Sequence, residues 1–256
     1  MHALTKPGQW ALVNKYACSQ SAIFKIISET ATFIDKCWGS LLDWDAGGLV
    51  HPQRLWEYAD ALQEFGAPCD TVISFIDCTT QPMCHLGVYQ DLMYTRYKKC
   101  HGMKYQAIVV PNGLIAHLSG PFCSPQNNCG VLNKSDLLSH LESHAIQPRS
   151  QQNDPPECCY FQVCGDSAYG VSPVMIGPYL NTQPQSLEER AWDMAMGGVR
   201  ISVKHGFGMV LKDWPKPQLF LVAVGLGYHV WHHVSCWCPL KQCMCMPSSE
   251  SDLLPL

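Results

Sequence analysis

The stretch Thr71-Val72-Ile73-Ser74-Phe75-Ile76-Asp77 decides how this chain folds. It is short, rich in β-branched and aromatic side chains, and ends on an acid, so it reads as a buried strand. Downstream, Tyr105 to Val110 and Leu114 to Leu118 read as two further strands. The turn Pro111-Asn112-Gly113 joins them into a hairpin. Asp136 to His144 follows as a short helix, and the polar, proline-rich segment 146–157 as a surface loop. Tyr160 to Cys164 is a fourth strand that again runs into an acid, Asp166. Ser186-x-x-Glu189 is a capping box opening a helix to about Met196. Gly197-Gly198 is expected to break that helix, with another over Val199 to Leu211. Upstream, 19–42 reads as a helix capped by Ser19 or Ser21, with Ile23, Ile26, Ile27, Phe33, Ile34 and Trp38 as a core-facing stripe. A second helix over 52–65 starts at Pro52, buries Leu55, Tyr58, Ala59 and Leu62, and ends at Gly66. This order implies an α/β domain, a mixed sheet flanked by helices and preceded by a small helical region.

The chain has 256 residues, 47% of them hydrophobic, ample for one large core. Its net charge of −4 does not suit an autonomous basic DNA-binding module, so any nucleic-acid contact rests on local patches. The 15 cysteines are scattered and odd in number, and the first residues, MHALTKPGQWALVN, contain no apolar signal-peptide core. They read as reduced thiols of an intracellular protein, nuclear or cytoplasmic and not secreted. The longest apolar run, Leu219 to Gly227, is too short to cross a bilayer.

Asp77 and Asp166 each end an apolar strand, and adjacent strand ends can bring carboxylates together. Such a pair suits a hard cation such as Mg²⁺. Two ions ~4 Å apart clamp the attacking and leaving oxygens of a phosphodiester. The alternative is that each aspartate caps a turn.

Six blocks in order carry a resemblance. They are Phe75-Ile76-Asp77-Cys78-Thr79, His101-Gly102-Met103-Lys104-Tyr105-Gln106, Pro111-Asn112-Gly113-Leu114-Ile115, Gly120-Pro121, Gly165-Asp166-Ser167-Ala168-Tyr169, and Val199-Arg200-Ile201-Ser202-Val203-Lys204-His205-Gly206-Phe207-Gly208. Together they resemble the PIF/Harbinger-type DDE transposases. The resemblance implies an RNase H-like fold, DNA cleavage and strand transfer, and Mg²⁺ or Mn²⁺ held by Asp77 and Asp166 as the first and second catalytic acids. It implies DNA, and a Myb-like protein, as partners. It divides the chain into a helical remnant over 1–66, an endonuclease domain over 67–225 and an atypical Cys/His-rich tail over 226–256.

The departures from that pattern bear on activity. Lys204 stands where the family has its third acid, and Asn128 where it usually has an aspartate. Cys78 and Arg96 replace family glycines. An ammonium cannot ligate a cation and repels it. Lys204 is therefore expected to lie between Asp77 and Asp166 as an internal counterion; a rotated helix with Lys204 in solvent is the alternative. Glu188, Glu189 and Asp193 are upstream acids, and the capping box already occupies Glu189. Lys98, Lys99, His101 and Lys104, interleaved with Tyr94, Tyr97 and Tyr105, are candidate DNA contacts together with Arg200. The same lysines would equally suit a solvated strand edge. His229, His232, His233, Cys236, Cys238, Cys243 and Cys245 are either a zinc site of unusual spacing or the product of a shifted reading frame. Three functions remain open: an active nuclease, a non-catalytic DNA- or protein-binding descendant, and a decayed product.

Overall fold

The computed structural model describes residues 9–82, 93–148, 150, 155–179 and 184–213. Helix α1 (Gln9–Tyr16) leads into α2 (Gln20–Trp38), whose N-cap is Ser19, accepting from the Ala22 N–H at 3.2 Å. A 3₁₀ turn (Gly39–Leu42) follows, so the long upstream helix is shorter than its hydrophobic spacing suggested. The stripe on α2 is only partly covered: Ile23 is buried and Ile27 and Ile34 are half-buried, but Ile26, Phe33 and Trp38 are exposed. Helix α3 (Pro52–Glu64) behaves as expected, with Pro52 in its first turn and Leu55, Tyr58, Ala59 and Leu62 buried.

Strand β1 (Val72–Pro82) runs well past Asp77. A two-residue strand β2 (Tyr94–Thr95), which the sequence did not signal, pairs with the start of β3 (Cys100–Val109). The hairpin closes with β4 (Ile115–Cys123), and its turn is set by Gly113 at φ +81° and by Asn112 Oδ1 accepting from the Leu114 N–H. Two short helices, α4 (Asn128–Leu132) and α5 (Leu137–His144), cross back. Of segment 146–157, Ile146 forms a bridge with Tyr160 and Pro156 opens a one-turn helix α6 (Pro156–Cys159), so it is not all loop; 149 and 151–154 lie outside the described residues. Strands β5 (Gln162–Cys164) and β6 (Met175–Ile176) complete the sheet, and α7 (Leu187–Asp213) ends the described chain.

The strand order β2-β3-β1-β5-β6, with β4 also on β3, makes a six-stranded mixed sheet. β1 is antiparallel to β3 and parallel to β5, and helices flank the sheet: an RNase H-like arrangement. The two faces of the sheet divide the core, and an irregularity between Val72 and Ser74 shifts the alternation along β1. Ile73, Ile76, Phe161 and Val163 face one cluster with α3 and α5. Val72, Phe75 and Cys164 face the other, with Met196 and Val199 of α7.

Helix α7 corrects one expectation. It runs unbroken through Gly197 and Gly198. Both glycines face open space, while Met196 and Val199 on either side are buried in the second core cluster. That anchoring outweighs a propensity cost of about 1 kcal/mol per glycine. The capping box forms as read: Ser186 N–H donates to Glu189 Oε2 at 2.7 Å, and Glu189 N–H to Ser186 Oγ at 3.1 Å.

Gly102 shows how closely β1 and β3 approach. A Cβ there would lie 2.7 Å from the Gln81 carbonyl oxygen and 2.8 Å from Thr80 Cγ2. Gly102→Ala is therefore expected to cost about 1–3 kcal/mol by overpacking. The urea midpoint should fall with an unchanged slope; an unchanged midpoint would show that the strands separate freely.

Candidate active site

The two acids meet through strand register. Phe75 pairs with Cys164 across the parallel β1–β5 ladder, so two residues further along each strand stand Asp77 and Asp166. Phe75 and Cys164 both face the α7 side, and alternation directs position 77 to the same side. Asp166 lies just past the end of β5 and turns to α7 as well, with Arg200 Nη2 at 3.9 Å from its Oδ2. Its other oxygen accepts the Ala168 N–H at 3.0 Å, an Asx turn that fixes the carboxylate. Gly165 is needed beside it: a Cβ there would sit 2.8 Å from the Tyr169 ring. Asp77 Oδ1 accepts from the Cys78 N–H at 2.8 Å.

The opposite face of β1 at this point packs against the first core cluster. Cys78 points into the first core cluster, where the Tyr169 hydroxyl donates to its Sγ at 3.1 Å. Burial pushes the Cys78 thiol up to about 11, against the hydrogen bond from Tyr169. Burial likewise raises Tyr169, and it takes the Cys164 thiol to about 12 despite the Arg200 guanidinium nearby. These groups are neutral at physiological pH, so the charge of the site resides in Asp77, Asp166 and their cationic neighbours.

Those neighbours form a chain. Lys104 Nζ donates to the Gln126 carbonyl oxygen and, at 3.3 Å, to Asn128 Oδ1. Asn128 Nδ2 in turn donates to Asp166, 3.2 Å from Oδ2 and 3.4 Å from Oδ1. The Lys104–Asn128–Asp166–Arg200 sequence was not legible beforehand, although each member was singled out for another reason. The basic patch is thereby divided. Lys98 and Lys99 are exposed on the β2–β3 turn, His101 is buried against Tyr94 with rings 5.1 Å apart, and Lys104 reaches into the acid site.

Position 204 lies on α7 one turn beyond Arg200, and so on the same helix face. The Lys204 side chain is outside the described residues, as is the whole Cys/His-rich tail. Glu189 is held in its capping box, and Asp193 accepts from the Tyr179 N–H and from Gln185 Nε2, so neither turns to the two acids. Among the described residues, no group of three or more His, Cys, Asp and Glu side chains gathers as a metal site. The donor set does not fit a two-ion clamp. Asp166 faces the Arg200 guanidinium, and the amide at 128 turns its oxygen to Lys104 and its NH₂ to Asp166. A divalent ion is favoured where carboxylates leave negative charge uncompensated, and here the Arg200 guanidinium offsets the charge of Asp166.

No curated protein matches this chain, and no solved structure does. No helix among the described residues is long and apolar enough to cross a membrane. A family profile does match: that of the DDE superfamily endonucleases, over residues 76–216, from within β1 to just past α7. The match covers more than half the chain and spans both aspartates, the linking asparagine and the helix that carries position 204, and by it the chain belongs to the DDE superfamily endonuclease family.

Proposed function

We propose that this chain is a Harbinger-type transposase core that has kept the DNA-binding fold of the family and lost the metal-dependent cleavage. Endonucleases of this superfamily generally use divalent metals, and their substrate is DNA. One observation carries the reading: the Asp166 carboxylate lies between the Asn128 amide and the Arg200 guanidinium. A third acid would add negative charge beside it, and the sequence supplies Lys204 instead. What remains for these residues is structural. Arg200 and Asn128 hold Asp166 at the strand end, and Lys104 ties the hairpin to the same point. The expected partner is DNA, with a Myb-like protein aiding end recognition as the Harbinger resemblance implies.

Two measurements test this. Supercoiled plasmid incubated with Mg²⁺ or Mn²⁺ should stay intact, and titration calorimetry should show no tight Mn²⁺ uptake. Nicking that vanishes in Asp77→Ala would overturn the reading. Binding to a DNA duplex should persist at low salt and weaken steeply as salt rises.

A further inference from the structure

We infer that the tip of the β2–β3 hairpin is a contact surface for an unpaired DNA strand, with Tyr97 stacking on a base and Arg96, Lys98 and Lys99 pairing with the phosphates on either side. The inference rests on the DNA-binding reading above and names the strand form and the residues.

The four residues between Thr95 and Cys100 are Arg96, Tyr97, Lys98 and Lys99, and all four are exposed. Tyr97 is the extreme case, with 92% of its surface in solvent. A tyrosine left that bare gains nothing from the fold; its ring offers a flat apolar face with three cations beside it. No ion pair engages Arg96, Lys98 or Lys99 among the described residues. The chain as a whole is acidic, so this concentration of positive charge is local.

The tip is also held firmly. Tyr94 and His101 face each other across the ladder with their rings packed, Thr95 is buried, and Lys99 takes a left-handed φ of +51° to close the turn. Such a residue pays in strain unless the surrounding structure fixes it. An exposed aromatic flanked by cations is what a sequence-tolerant single-strand contact requires: every base has a π-face, and the phosphates lie on either side of it. Duplex DNA keeps those faces stacked inside and offers the ring little.

The tip is aligned with the site. Strand β3 runs from Cys100 directly to Lys104, which joins the Asp166 chain. Five residues at ~3.3 Å each put the tip on the order of 17 Å from Lys104 along the strand.

Fluorescence anisotropy with a labelled oligothymidylate of about 16 nucleotides, against a duplex of equal length, tests the assignment. The intact chain should prefer the single strand. Tyr97→Ala should weaken single-strand binding by roughly 5- to 100-fold, and Tyr97→Phe should retain it, because the ring and not the hydroxyl does the stacking. Replacing Arg96, Lys98 and Lys99 by Ala should lower the salt slope by about 2. Since all four side chains are exposed, the fold should survive, which circular dichroism verifies. If the intact chain binds DNA and Tyr97→Ala binds equally well, this inference fails alone. If the intact chain binds neither strand form at low salt, the DNA-binding reading fails with it.

Discussion

Replacing Lys204 by Glu and Asn128 by Asp in one chain is expected to produce Mn²⁺ binding at least about a hundredfold tighter than in the parent. The argument is one of charge at short range. The first change removes a cation and adds an anion on the helix face that carries Arg200; the second turns the amide between Lys104 and Asp166 into a further carboxylate. Each unit of charge a few ångströms from a divalent ion is worth several kcal/mol at an effective dielectric of ~20, before solvent screening reduces it. A hundredfold gain needs only about 2.7 kcal/mol of that. Calorimetry on parent, single and double variants measures it, with Asp77→Ala in the double-variant background expected to abolish the gain. Equal Mn²⁺ affinity in parent and double variant would sink the charge-compensation account. Restored plasmid nicking would go further, since it would show that the rest of the site still holds DNA correctly.

Acid should destabilise the fold through one histidine. His117 on β4 is buried, its Nδ1 finds no hydrogen-bond partner among the described residues, and His140 of α5 lies near it. Burial, helped by His140, holds His117 down at about 4, against 6.5 for a free imidazole. The folded value lies below the unfolded one, so as pH falls the unfolded chain takes up its proton first. Stability is whole above about pH 6.5 and drains away between there and pH 4. At about 1.4 kcal/mol per pH unit, moving from pH 7 to 4.5 should remove roughly 2–3 kcal/mol. Urea midpoints at the two pH values, for the parent and for His117→Leu, check this. Carboxylates titrate alike in both chains, so the difference isolates the imidazole. If His117→Leu loses as much as the parent, the assignment to His117 is wrong.

How far the sequence could be read depended on whether the deciding contact was local. The strand at Val72 to Asp77 and the Pro111-Asn112-Gly113 turn were legible because β-branched runs and a left-handed glycine act within a few residues. The buried face of α3 was legible because the core lies on that side. The stripe on α2 had similar periodicity yet is only partly covered, since spacing shows that a face exists and not that anything covers it. The glycine pair in α7 misled because its neighbours' burial is a tertiary fact. β2 and β6, two residues each, are too short for any period to register. At the site, the two aspartates stood out as candidates from apolar runs ending on an acid and from motif blocks, although β1 continues past Asp77 to Pro82. The link from Lys104 through Asn128 to Asp166 joins residues 62 positions apart, and only the folded hairpin and α4 bring it together.

The continuity of α7 through its glycine pair means that the acid site is geared to the core. Met196 and Val199 are seated under the sheet, and Arg200 and position 204 follow on the same unjointed rod. Whatever side chain occupies 204 is delivered at a phase the core has already set. Inserting one residue between Val199 and Lys204 would turn the rod's far end by about 100° and advance it by about 1.5 Å. Chemistry at 204 can thus be exchanged by substitution alone, while any slip in helical phase moves the position off the helix face that carries Arg200.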